Sequence, residues 1–140
     1  MKRNKTAVAA EVWQHLFDFI IGTVGERTAV LGRHGLTPND SRALFALSEP
    51  RTMTWLAKTW KCDASNATWL VDRLEEKGLV ARTARESDRR VKLVRLTPLG
   101  RKTRAAVKRA LYRPPRALLE LAAGDLETLE RATRRLRAVT

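Results

Sequence analysis

Residues that carry chemistry are scarce in this chain. Its 140 residues include one cysteine and two histidines. A lone Cys62 excludes an internal disulfide and suits a reducing compartment, so the expected location is the cytoplasm. His15 and His34 stand far apart without the close His, Cys or carboxylate spacing of a zinc site, and no metal or other cofactor is expected. Glycine-rich phosphate loops, nucleophile elbows and paired carboxylates are missing too, which leaves an enzyme without apparatus. No uncharged apolar run is long enough to span a membrane. Lys2, Arg3 and Lys5 imitate the start of a secretory leader, but Glu11, Gln14, His15 and Asp18 interrupt the apolar stretch behind them. Negative charge is the last shortage: 28 Lys and Arg face 15 Asp and Glu, a net charge of +13. Nucleic acid is the leading partner for such a balance, ahead of an acidic membrane surface. With 44% apolar residues the chain can build a core, so the charge does not mark a disordered tail.

The cationic excess has a location. Lys and Arg outnumber Asp and Glu by 6 to 5 in residues 1–50, by 13 to 6 in 51–102 and by 9 to 4 in 103–140. From Thr6 to Leu31 apolar residues recur at three- and four-residue steps around more than half a helix, enough to need two packing partners, with Gly22 and Gly25 weakening the second half. Thr37-Pro38 reads as N-cap and N1 of a second helix closed by Pro50. Leu56, Ala57 and Trp60 mark a short helix, and Lys61-Cys62-Asp63 a connector. Asp63 then caps a helix with Ala67, Leu70, Val71 and Leu74 on one stripe, ended by Gly78. Two short helices on a tight turn form a helix-turn-helix pattern. The β-rich runs 79–83 and 91–96 flank a charged stretch, as in the wing of a winged helix. Thr97-Pro98 opens a further helix through about Arg113, which Pro114-Pro115 must break. A restart at Arg116 and a last amphipathic helix with Leu126, Leu129, Leu136 and Val139 follow.

The expected fold is therefore mainly α with a small β-hairpin wing (α+β). Residues 1–35 form an N-terminal dimerisation helix, 36–100 the winged helix-turn-helix, and 101–140 C-terminal dimerisation helices, all within one compact protomer. Apolar stripes left over from the small winged helix are best covered in a symmetric homodimer. On the face of the second motif helix opposite its core stripe stand Ser65, Asn66, Thr68, Trp69 and Arg73. Asn reads adenine bidentately, Ser and Thr reach base edges or phosphates, and Arg suits guanine or phosphate. Arg82, Arg85, Arg89, Arg90, Lys92 and Arg95 crowd the hairpin against Glu86 and Asp88, a tip suited to the narrow, negative minor groove. A rival reading is a sequence-tolerant nucleoid or architectural protein, and a third is a winged helix used only for protein contacts.

The run Leu56-Ala57, Thr68, Leu70-Val71-Asp72-Arg73-Leu74-Glu75, Lys77-Gly78-Leu79-Val80, Arg82, Asp88-Arg89-Arg90 and Leu96-Thr97-Pro98-Leu99-Gly100 resembles the MarR (multiple antibiotic resistance regulator) family, as does Gly35-Leu36-Thr37. The resemblance implies a dimeric transcription factor, usually a repressor, bound to a pseudo-palindromic double-stranded operator. It also implies that Arg90 enters the minor groove and that Asp88 orients it. Members of the family often release DNA when a small aromatic or anionic effector binds. Trp13, Phe17, His34, Arg42, Phe45 and Trp55 are the candidate walls of such a pocket here. Lys61 stands where the family commonly has Gly, and Trp69 where it often has Arg.

Overall fold

The computed structural model describes residues 4–138. Lys2, Arg3 and Val139, which figured in the sequence reading, lie outside the described residues. Asn4 caps the first helix, its Oδ1 accepting the Thr6 N–H at 3.0 Å. The expected single helix over 6–31 is two: α1 is Lys5–Gly22 and α2 is Val24–Arg33. Between them Thr23 turns its hydroxyl onto the Ile20 carbonyl at 2.8 Å, and the flanking Gly22 and Gly25 add no side-chain packing to hold the turn helical.

Gly35 lies at φ +66° and redirects the chain after α2. Helix α3, Pro38–Ala46, starts on Thr37 with a reciprocal box: Asp40 N–H donates to Thr37 Oγ1 at 3.2 Å and Thr37 N–H to Asp40 Oδ2 at 2.9 Å. It ends four residues before Pro50, earlier than its sequence suggested, because Leu47 already caps it with non-helical backbone. Strand β1, Arg51–Thr52, follows, then α4, Met53–Trp60, and α5, Ala64–Glu76. Helix α5 closes as its periodicity predicts: Gly78 at φ +71° donates to Glu75 O at 2.8 Å, and Leu79 N–H reaches Leu74 O at 3.0 Å.

Strands β2, Val80–Ala84, and β3, Lys92–Leu96, pair antiparallel from Val80↔Leu96 to Ala84↔Lys92. The hairpin was legible in its two β-rich runs; the third strand was not. Arg51 and Thr52 pair with Val94 and Leu93, giving a sheet in the order β1-β3-β2. Helix α6, Pro98–Leu111, is capped by Thr97, whose Oγ1 accepts the Gly100 N–H at 2.9 Å. Pro114-Pro115 break the chain as expected. A single turn, α7, Arg116–Leu119, precedes α8, Ala123–Arg137.

The core sits under the winged helix. Leu36, Leu44, Leu47, Leu56, Trp60, Val71, Leu74, Val80, Val94 and Leu96 are buried, joined by Leu31 from α2 and Val107 from α6. Each such Leu or Val contributes about 1.5–3 kcal/mol of burial free energy, enough to hold the motif rigid. Helices α1, α7 and α8 bury no residue within the chain.

Candidate nucleic-acid interface

The α4–α5 turn is made by Lys61, which adopts the left-handed conformation at φ 53°, while Cys62 N–H returns to Ala57 O at 3.1 Å. Asp63 then starts α5, its carboxylate accepting the Asn66 N–H at 2.8 Å and the Asn66 side-chain amide at 3.2 Å. With Ala67, Leu70, Val71 and Leu74 turned inward, Ser65, Asn66, Thr68 and Trp69 are exposed together on the opposite face. Trp69 leaves 58% of its surface open, unusual for so large an apolar ring in the middle of a helix.

Two residues assigned to DNA contact from sequence are committed elsewhere. Arg73 Nη2 donates to Asp40 Oδ2 at 3.0 Å, and its Cζ lies 5.4 Å from the Trp69 ring centroid. Arg82 pairs with both Asp72 and Glu75 of α5, so it fastens the wing to the helix. Within the protomer each of these guanidinium groups therefore already has a carboxylate partner.

Asp40 is fully buried, and Lys77 Nζ donates to the same Oδ2 at 3.0 Å as well as to Gly35 O at 2.6 Å. Burial pushes this carboxyl up, but the Thr37 N–H, the Lys77 ammonium and the Arg73 guanidinium together hold it below its ordinary 3.8. The charged carboxylate therefore clamps the C-terminal half of α5 to α3.

At the wing tip Arg85 N–H donates to Val91 O at 2.9 Å and Val91 N–H to Asp88 O at 3.0 Å. Asp88 Oδ1 accepts the Arg90 backbone N–H at 3.0 Å. Asp88 thereby shapes the main chain from which the Arg90 side chain projects. Arg85, Arg89 and Arg90 are exposed, and among the described residues no carboxylate pairs with them.

Lys58 and Lys61 stand outside the contact set expected from sequence. With Thr54, Cys62 and Thr68 they line a groove of about 330 Å³ between α4 and the start of α5. The signal was present: Thr54 and Lys58 are one helical turn apart on the face of α4 that leads to the turn.

The six candidate effector residues are not brought together. Trp13 and Phe17 pair with each other at 6.2 Å on the outer face of α1. Phe45 faces Arg104 and Trp55 faces Arg51. Arg42 donates to Trp60 O at 3.4 Å, and His34 is exposed at the end of α2. A cavity of about 570 Å³ lies instead between α2 and the α6–α7 break, and none of the six lines it.

Among the described residues no group of three His, Cys, Asp or Glu is placed to hold a metal ion, and no helix is long and apolar enough to cross a membrane. The MarR family model matches residues 34–91. The fold is similar to that of YusO from Bacillus subtilis, at 23% identity over 99% of this chain and 100% of that one, with a TM-score of 0.78. The transcriptional regulator BldR from Sulfolobus solfataricus is 30% identical over 96% of this chain and 99% of its own, with a TM-score of 0.64. S. aureus MepR, in a structure bound to an oligodeoxyribonucleotide, is 21% identical over 91% of this chain and 98% of its own, with a TM-score of 0.71. No curated protein matches. With a family model matching the helix-turn-helix and the first strand and tip of the wing, and a full-length likeness to a transcriptional regulator, the chain belongs to the MarR family of winged-helix DNA-binding transcription regulators, which are not enzymes.

Proposed function

We propose that the protein is a homodimeric, sequence-specific repressor of a pseudo-palindromic operator. Each α5 enters a major groove through Ser65, Asn66, Thr68 and Trp69, and each wing tip follows a minor groove through Arg85, Arg89 and Arg90. The observation that carries this reading is the pairing of a polar, exposed α5 face with three tip arginines that no carboxylate among the described residues neutralises. MepR, of the same fold, is known bound to an oligodeoxyribonucleotide. Phosphate contacts from the wing, Lys58 and Lys61 supply most of the affinity and the α5 face supplies the choice of site. Dimerisation covers the exposed Val12, Trp13, Phe17, Ile20 and Ile21 of α1 together with Leu126 and Leu136 of α8. Half-sites are then about 10–10.5 bp, or a multiple, apart.

The test is selection of duplexes from random fragments, followed by fluorescence anisotropy on the selected and a scrambled duplex. Specific binding prefers the selected duplex by about 10³-fold or more at physiological salt. Equal, steeply salt-dependent binding to both would favour the architectural reading, which draws on the cationic excess in residues 103–140.

Release by a small anion is part of the same reading. The cavity beside the α6–α7 break has walls from Phe19, Val30, Leu111, Pro114 and Leu118 and a rim with Arg27, Arg33, Arg113 and Arg116. An apolar body with one carboxylate suits that lining. Titration of the DNA complex with benzoate and with benzamide checks it: release by the acid alone supports the site, and release by neither removes it.

A further inference from the structure

Trp69 is the least expected residue on the α5 face, and the structure supplies it with a holder. An indole on an exposed helix surface ordinarily samples several rotamers, and each costs free energy when it is frozen against DNA. Here the Arg73 guanidinium stands 5.4 Å from the Trp69 ring centroid, within reach of a cation–π contact. Arg73 is itself fixed, because Nη2 donates to the Oδ2 of Asp40 at 3.0 Å. Asp40 cannot move: it is fully buried, boxed with Thr37 at the start of α3, and bound by Lys77 as well. The relay runs from a rigid carboxylate through a planar cation to the ring that meets the duplex.

We infer that Asp40 and Arg73 are positioning residues for operator choice, acting through the Trp69 indole and not by touching DNA themselves. This rests on the proposed entry of α5 into the major groove. The planar guanidinium is the essential middle piece: lysine keeps the charge and the ion pair with Asp40 but loses the flat face that the ring needs. Asparagine at position 40 keeps the acceptor's place but loses the charge that fixes Arg73.

The experiment measures binding of Arg73→Lys and Asp40→Asn to the duplex selected by the native protein and to a scrambled duplex, with folding checked by circular dichroism. The expected result is a loss on the order of 10-fold in the preference for the selected duplex, falling on the selected and not on the scrambled sequence. In a Trp69→Ala background the same two substitutions change the preference by less than about twofold, since their route to DNA is gone. If Asp40→Asn fails to fold, Arg73→Lys carries the test alone. An unchanged preference in folded Arg73→Lys would overturn the inference. So would an equal loss on both duplexes, or a full effect that persists without Trp69. A native protein with no preference between duplexes would instead overturn the reading of α5 on which the relay depends.

Discussion

Gly100 lies against the main chain of Leu79 so closely that a Cβ at position 100 would stand 1.9 Å from the Leu79 carbonyl oxygen. That oxygen also accepts the Thr97 N–H at 3.0 Å, so it cannot swing aside without losing the bond that anchors the residue capping α6. The glycine lets α6 start flush against the end of the recognition unit. Gly100→Ala is therefore expected to destabilise the fold by about 2–3 kcal/mol, seen as a lowered midpoint in urea unfolding. An unchanged midpoint would show that α6 can shift.

Lys61 presents the opposite case, a side chain where backbone geometry favours glycine. An L-residue in the left-handed region costs about 1–2 kcal/mol, and glycine's own entropy cost is about 0.5–1 kcal/mol. Lys61→Gly should raise Tm by about 2–4 °C. It should also weaken DNA binding and reduce the salt slope by about one, because a phosphate contact is lost. Stability and affinity moving together would contradict this division of roles.

The acid limb of stability should report Asp40. Its carboxyl is held below its ordinary 3.8, so the clamp is fully present above that pH and is lost as the pH falls through the lower folded value. Asp40→Asn is expected to lower stability by about 1–3 kcal/mol near neutrality and to flatten the fall of Tm below about pH 4. Thermal melts across that range check both parts, and an acid limb as steep as that of the native protein would place the proton uptake elsewhere.

Arg82 and Arg90 are both wing arginines in sequence, yet they should respond differently. Arg90→Ala should cost on the order of 1–3 kcal/mol of operator binding and leave Tm unchanged. Arg82→Ala removes the partly exposed bridge to Asp72 and Glu75, so its first effect is a stability loss of about 0.5–1 kcal/mol. Anisotropy and melting of the two variants separate these outcomes.

A negative charge on the outer stripe of α1 should split the dimer. Trp13, Phe17 and Ile20 follow one another at four- and three-residue steps on the exposed side of that helix. Phe17→Glu is expected to sediment at the protomer mass and to lose operator binding while keeping its helical signal. A dimer that survives Phe17→Glu would move the interface off α1.

Local signals were legible and distant ones were not. Thr37, Asp63 and Thr97 announce helix starts through side chains that act within three residues, Gly78 announces a helix end through its left-handed backbone, and each acts as read. The periodic stripe of α5 also placed its exposed face correctly. Spacing puts Arg73 on the polar side of α5, but could not show that its partner Asp40 is 33 positions away. Arg82 pairs closer in sequence, with Asp72 and Glu75, but across from β2 to α5, a contact that hairpin spacing does not show. Strand β1 has two residues, too few to show alternation, and only β3 makes it a strand. The effector residues were grouped by aromatic character, but Phe45 and Trp55 are each matched to an arginine by packing that no pattern encodes.

That small strand has a mechanical consequence. Thr52 pairs with Leu93 of the wing and at the same time caps α4, its Oγ1 accepting the Trp55 N–H at 3.2 Å. The wing and α4 are thus stitched to the same short piece of backbone, and since α5 follows α4 across the tight Lys61 turn and packs on it, wing and reading helix turn together like two tines of one fork. In the proposed dimer, an effector can then widen or narrow the gap between two stiff forks but has little means of bending either. Discrimination between operators becomes partly a matter of gauge: inserting one base pair between half-sites should weaken binding more than exchanging a base that neither fork touches.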